Sequence, residues 1–367
     1  MAAQDTITKV EIWPIDVPIT DPFVVATGRL VTAQNLFVRI TLRGGASGYG
    51  EIAPFPEVGG EDRASCQQVA MQLAKAALGR PASQYRKIAR LFYDMAASHP
   101  ASRCGLETAL LDALCRHNGV ALWGFWGGVD VRERETDITI PIADLERTVS
   151  LARDWYGRGF RLFKMKVGAD FHQDVRRLEA VHRVLPDVAF IADANQGFTR
   201  EDCLAFVNGV KRVGVRLVIL EQPVAREDLD GLAALRHLTG VPVAADESVR
   251  SILDVRNVLE RQAADYINVK IMKSGLLNAM DIAAYARAYG LRLMIGGMVE
   301  TRIAMGCSFG LVLGLGGFDV LDLDTPLLLA ADPVTGGYRY EGPRLLPWTG
   351  PGLDLEAHGA DAVTTIE

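Results

Sequence analysis

Several function classes are closed off by what the sequence lacks. Its five cysteines, Cys66, Cys104, Cys115, Cys203 and Cys307, form no Cys-x-x-Cys pair, and an odd, scattered set argues against a disulfide framework. A reduced, cytoplasmic protein is expected. Basic charge is not in excess: the formal net charge is -6, which leaves no electrostatic footprint for nucleic acid or an anionic membrane. Long apolar runs are missing as well. The longest, Gly306 to Val320, is broken by five glycines and carries Asp319, short of the roughly 20 apolar residues that span a bilayer. The opening residues lack a basic start followed by an apolar core, so no secretory signal is expected. These absences favour a small-molecule partner.

What is present suffices for one large core and a second, smaller one: 367 residues, 49% of them hydrophobic. Residues 7–17 and 36–43 cluster β-branched residues and read as a meander, and helical patterns follow at 62–78, 84–97 and 102–118. From about residue 134 short apolar strands alternate with amphipathic helices, at 137–142, 161–167, 188–193, 217–221, 241–246, 266–270, 291–296 and 318–322. That alternation predicts a closed parallel α/β barrel. After Asp324-Thr-Pro326 the pattern lapses into Gly and Pro with no clear eighth helix. The expected organisation is an α+β capping domain over residues 1–130, a barrel over 131–330 and a tail, 331–367, that returns to the capping domain.

Charged residues recur on this frame at a nearly constant beat. From Lys166 the chain counts 27 residues to Asp193, 28 to Glu221, 25 to Asp246, 24 to Lys270, 27 to Gly297 and 25 to Asp322. One strand plus its returning helix takes about that many residues, so each of these falls at the same height of the barrel and all meet at one mouth. Side chains two apart on a strand share a face, so Lys164 and Lys166 are forced together, and their repulsion is expected to lower the pKa of each. Asp193, Glu221 and Asp246 end neighbouring strands, and three converging carboxylates need a cation. Oxygen-only ligands favour a hard ion such as Mg²⁺, which keeps positions open for a substrate oxygen. Lys270 on the sixth strand lies across the barrel from Lys166 on the second. A proton that leaves a bound carbon on one side and returns on the other inverts a stereocentre.

At this point the motifs resemble those of the enolase superfamily, in its muconate-lactonizing-enzyme-like subgroup: Lys-Met-Lys at 164–166, Asp-Ala-Asn at 193–195, Glu-Gln-Pro at 221–223, Asp-Glu-Ser at 246–248 and Lys270. The resemblance spans nearly the whole chain, including the Gly48-Tyr-Gly-Glu-Ile-Ala-Pro54 loop. It implies a modified (β/α)7β TIM-type barrel, Asp193, Glu221 and Asp246 as Mg²⁺ ligands, Lys166 and Lys270 as the acid/base pair, and Lys164 as a neutraliser of the substrate carboxylate. It also implies a homo-oligomer. None of the six histidines ends a barrel strand, so a His-Asp base dyad of the mandelate racemase kind is absent.

Asp322 and Asp324 share a face of the last strand and suit a ligand ammonium, which resembles the dipeptide epimerases that invert the C-terminal residue of an L,L-dipeptide through an enediolate. Gly297 would leave room for a peptide backbone. The lid loops carry Asp21, Glu51, Glu57, Glu61 and Asp62 against Arg29 and Arg63, an acidic excess that favours cationic side chains, with Asp21 and Glu51 as candidate substrate contacts. Two other readings stay open: a cycloisomerase or an o-succinylbenzoate-synthase-type lyase on the same site, and a barrel that only binds.

Overall fold

Strand β1 (Ile7–Val25), β2 (Gly28–Leu42) and β3 (Ser47–Ile52) pair antiparallel into the expected meander, as seen in a computed structural model that describes residues 3–56, 60–359 and 362–367. Helices α1 (Arg63–Ala77), α2 (Tyr85–Ala96) and α3 (Pro100–Asn118) cover the sheet. Helix α3 is buried from Ala101 to Cys115, as befits a helix enclosed on every side. Its contact with β3 is backbone to backbone: a Cβ on Gly48 would stand 2.0 Å from the Ala113 nitrogen, and one on Gly50 1.9 Å from the Gly105 oxygen. Any larger residue at either position pushes the helix off the sheet.

All eight expected barrel strands are present: β4 (Ile138–Ile140), β5 (Leu162–Lys166), β6 (Ala189–Asp193), β7 (Leu217–Glu221), β8 (Val243–Ala245), β9 (Tyr266–Val269), β10 (Arg292–Ile295) and β11 (Val320–Leu321). They form one parallel sheet in sequence order. Between β11 and β4 the ring closes through fewer bonds, with Asp137 N donating to Leu321 O at 3.0 Å and Leu323 N to Thr136 Oγ1 at 2.8 Å. Helices α4 (Leu145–Gly157), α5 (Phe171–Val184), α6 (Arg200–Arg212), α7 (Leu229–Thr239), α8 (Ile252–Arg261), α9 (Leu276–Ala288) and α10 (Arg302–Leu315) return the chain between strands. After β11 comes only a four-residue turn of helix, Thr325–Leu328. The seven-helix modified barrel is therefore the architecture. Beneath its mouth, Ile191, Ile219, Ala244, Tyr266 and Met294 form an apolar plug separate from the main core.

The tail divides. Arg339–Glu341 and Arg344–Leu346 make a small sheet with Arg134–Glu135 beside the barrel, whereas β12 (Thr364–Ile366) pairs antiparallel with β1 on the capping sheet. Among the described residues no helix is long and apolar enough to cross a membrane.

Cap and barrel are joined by a buried carboxylate. Glu51 on β3, fully buried, accepts from Thr301 N at 2.9 Å, Thr301 Oγ1 at 2.7 Å and Ala304 N at 3.2 Å, capping the start of α10 from outside the helix. Asn35 Nδ2 donates to the same carboxylate at 2.7 Å and to Val299 O at 2.9 Å. The expectation that Glu51 touches substrate is thus corrected: its oxygens are consumed in tying β3 to α10. Truncating it strands several buried donors, so Glu51→Ala is expected to lower unfolding free energy by about 2–4 kcal/mol in urea titrations. A loss below about 0.5 kcal/mol, the size of an ordinary surface change, would show that the tie is unimportant.

Candidate active site

Six of the seven barrel helices begin on a side-chain cap of their own, and this frees the strand-end acids for other work. Asp144, Asp170, Thr199, Asp228, Ser251 and Thr301 accept from the first turns of α4, α5, α6, α7, α8 and α10. Asp193, Glu221 and Asp246 cap none of these. Ladder register sets their height: Lys166 pairs with Asp193, Asp193 with Glu221, and Glu221 with Ala244. All three acids are fully buried at the mouth.

Lysine amines fill the space among these carboxylates. Lys164 Nζ lies 3.0 Å from Asp193, 2.9 Å from Glu221 Oε2 and 2.6 Å from Asp322. Lys166 Nζ lies 2.6 Å from Asp193 and 3.2 Å from Asn195 Oδ1. Lys270 Nζ is 2.7 Å from Asp246 Oδ2, and Lys273 Nζ bonds the other Asp246 oxygen, the Asp246 carbonyl at 2.5 Å and Asn268 O at 2.9 Å. Asn268 Nδ2 donates to Glu221 Oε1 at 2.8 Å. Burial opposes charge on Lys164 and Lys270, but the acids around them outweigh it and raise both pKa values. For Lys164 this corrects the expectation that repulsion from the neighbouring amine lowers its pKa: the Asp193 carboxylate lies between it and Lys166. Burial likewise opposes charge on Asp193 and Asp246, yet the lysines hold both well below the usual carboxylate range. For Glu221, burial and then Asp193 prevail, and its carboxyl is pushed up to about 7.

The three acids suit a hard divalent ion. Their donor set is all oxygen, and Glu221 Oε2 and Asp246 Oδ2, though close to amines, accept no aligned hydrogen bond among the described residues. Backbone strain clusters at the same rim: Asn195, Gln196 and Gln222 adopt φ of 40°, 71° and 34°. That bend of Asn195 sets its Oδ1 on Lys166 and its Nδ2 on Glu247, 3.2 Å away. Lys164, Lys166 and Lys270 line one cavity with Phe23, Val25, Phe55, Thr139, Asn195, Met298, Val299 and Asp322. Its volume is only about 20 Å³, room for roughly one water. A larger one, about 350 Å³, adjoins it at Phe23 and Thr139 and is walled by Leu151, Trp155 and Leu327 to Leu329 together with the charged Asp21, Arg147, Asp154 and Arg158.

Residues 7–127 match the mandelate racemase/muconate lactonizing enzyme N-terminal domain, and residues 147–361 match the enolase C-terminal domain-like family. The chain belongs to the enolase superfamily. Within this superfamily it is 40% identical to an aromatic dipeptide epimerase of Herpetosiphon aurantiacus, over 97% of this chain and 99% of that one. It is 38% identical to a hydrophobic dipeptide epimerase of Citrifermentans bemidjiense, over 96% of this chain and 97% of the relative. The solved dipeptide epimerase of Cytophaga hutchinsonii, complexed with Mg and D-Ala-L-Val, superposes with a TM-score of 0.94 at 28% identity, covering 99% of this chain and all of that one. By family, and by the reactions for which its relatives are named, this superfamily member is an isomerase.

Of the residues expected at the site, the barrel brings together Lys164, Lys166, Lys270, Asp193, Glu221, Asp246, Asp322 and Asp324. Gly297 lines the small cavity, although a Cβ there would meet Met305 at 2.2 Å; it is at Gly296 that a Cβ would stand 2.7 Å from Asp322. Asp21 lies away from the lysines but lines the larger cavity, its carboxylate paired there with Arg147 at 2.5 Å. Glu61 is buried and accepts from Ala101 N at 3.3 Å, and Asp62 caps α1. Glu57 lies outside the described residues. The acidic excess of the lid is therefore mostly engaged within the fold. Asn195, Asn268, Lys273 and Asp137 were not among the expected site residues; Asn268 and Asp137 were legible as residues two before Lys270 and Thr139 on shared strand faces.

If the three strand-end acids hold a divalent ion, Mg²⁺ is expected to raise the melting temperature by mass action, and Glu221→Gln and Asp246→Asn to erase that shift. An undiminished shift in both variants would move the ion to other residues, the buried trio Asp137, Asp322 and Asp324 foremost.

Proposed function

We propose that this protein epimerises dipeptides, inverting the α-carbon of the C-terminal residue by proton transfer between Lys166 and Lys270. One observation carries the reading: amines from the second and sixth strands border the same small cavity that Asp322 enters. Opposed bases at one carbon serve inversion, whereas elimination or ring closure needs only one of them to move the proton. Asp322 and Asp324 would take the substrate ammonium and so fix which end of the peptide faces the lysines. The dipeptide-epimerase names of the relatives support the same assignment.

Asp193, Glu221 and Asp246 would hold Mg²⁺. When bound, the ion neutralises charge on the substrate carboxylate. Lys164 adds its own charge at that end, where the enediolate concentrates negative charge after the α-proton leaves, so its attraction is greatest in the transition state. Lys166 and Lys270 then need only trade roles: one amine accepts the proton and the opposite ammonium returns one. Phe23 stacks over Lys166 Nζ at 5.5 Å and with Phe55 keeps water from the reacting carbon. A dipeptide exceeds the room between the lysines, so these cap residues must swing aside for entry. A reduced, cytoplasmic setting accords with five buried, free cysteines, and a homo-oligomer completes the proposal.

Side-chain preference follows from what surrounds the lysines. Val25, Phe55, Met298 and Val299 offer apolar surface to the inverted residue, and Leu151, Trp155 and Leu327 to Leu329 offer it to the N-terminal one. Of the lid acids behind the expected cationic preference, Asp21 alone of those described lines the larger cavity, where it is paired with Arg147, while Glu51 and Glu61 are buried and Asp62 is a helix cap. Apolar and aromatic side chains are the preferred ones in this reading, in agreement with the names of two relatives.

Incubation with L,L-dipeptides and Mg²⁺ in D₂O is expected to place one deuterium on the C-terminal α-carbon without loss of mass elsewhere. Lys166→Ala and Lys270→Ala should each slow epimerisation by at least about 100-fold, each retaining exchange from only one epimer; peptides left unlabelled by the wild type would end the proposal. In a kinetic panel, Ala-Phe and Ala-Leu should exceed Ala-Lys and Ala-Glu in kcat/KM by roughly tenfold, the worth of one well-buried apolar group. Faster turnover of Ala-Lys would restore the cationic reading.

A further inference from the structure

Asp137 stands at the foot of β4, held beside the last strand by its own N–H to Leu321 O. Its side chain is fully buried, and neither carboxylate oxygen accepts a hydrogen bond among the described residues. One oxygen each from Asp137, Asp322 and Asp324 lies within 4.8 Å of the others. The neighbours are already spoken for in part: Asp322 Oδ2 accepts from Lys164 at 2.6 Å and Asp324 Oδ2 from Thr139 N at 2.5 Å. Asp324 Oδ1, like both oxygens of Asp137, has no partner among the described residues. Three acidic side chains thus converge on one small volume with acceptors to spare.

Separations within 4.8 Å admit a particular chemistry. Acceptors about 2.8 Å from one tetrahedral nitrogen lie roughly 4.6 Å apart, so a primary ammonium can direct one N–H at each of three carboxylates. We propose that Asp137 is the third leg of the ammonium seat and makes the enzyme selective for an unsubstituted N-terminal amine. The inference rests on the dipeptide reading of the same site and adds to it a residue and a selectivity. Charge supports it. Burial, then Asp322 and Asp324, push the Asp137 carboxyl well above the usual carboxylate range, and an arriving cation relieves that repulsion.

Kinetics with a free-amine dipeptide and its N-methyl and N,N-dimethyl forms tests the seat. A three-legged seat loses one bond with each methyl, so the wild type should lose about tenfold to a hundredfold in kcat/KM at the first methyl and again at the second. In a seat of two carboxylates the first methyl costs little, since two N–H groups remain. Asp137→Leu, which leaves no acceptor, should raise KM for the free amine more than it lowers kcat and bring the free-amine and N-methyl rates together. Equal wild-type rates for those two substrates, or an unchanged ratio in the folded variant, would overturn the proposal. Should the variant fail to fold, the wild-type methyl series decides alone. Calorimetric titration with Mn²⁺ provides the remaining arm: one bound ion per chain agrees with the proposal, and a second ion that Asp137→Leu abolishes would make the trio a metal site instead. A wild type inert toward every free-amine dipeptide would refute the dipeptide reading itself, a result distinct from all of these.

Discussion

Buried carboxylates set against buried amines at one barrel mouth form the interaction on which everything else in this structure depends. An isolated charge at such depth is penalised by several kcal/mol, and only close, well-directed partners offset that penalty. Lys164, Lys166, Lys270 and Lys273 each find acids within bonding range, while Glu221, Glu247 and Glu300, all buried, have carboxyls pushed up to about 7, 7 and 8, each by burial before any charged neighbour. Acids so poorly compensated favour the entry of cations. The same imbalance that makes the mouth costly to fold makes it ready for a metal ion and a cationic ligand end.

The rest of the fold shields that mouth. Below it the apolar plug around Ile191, Ile219 and Met294 keeps water from rising through the barrel. Above it the capping sheet is anchored by Glu51 on α10, so the loops bearing Phe23 and Phe55 hang from a fixed support. Absence of an eighth helix has a consequence here: the turn after β11 and helix α4 border the larger cavity with Leu327 to Leu329, Leu151 and Trp155. Specificity for the second side chain can thus be set by residues that take no part in the chemistry.

Much of this was legible because a parallel barrel converts linear spacing into spatial height. The steps from Lys166 to Asp193, Glu221, Asp246 and Lys270 needed no contact information, only the length of a βα unit. Asp137 and Asn268 escaped notice although the period of two places them beneath Thr139 and Lys270. Nothing about a lone Asp before a strand separates it from a helix cap until its oxygens are found without partners. Glu51 was misread for the opposite reason: charge in a lid loop carries no address, and the partner that absorbed it, Thr301, lies 250 residues away.

By itself the sequence determined the eight-stranded barrel, the lapse of the helical pattern after its last strand, and the convergence of Lys164, Lys166, Asp193, Glu221, Asp246 and Lys270 at one mouth, because alternation and repeat length are local quantities. Tertiary structure alone decided which acids are spent on architecture, that carboxylates raise the pKa of Lys164 where repulsion was expected to lower it, and that Asp137 joins Asp322 and Asp324. Those outcomes hinge on which charges become neighbours at low dielectric, and adjacency between β11 and β4, or between β3 and α10, exists only once the ring has closed and the cap has docked.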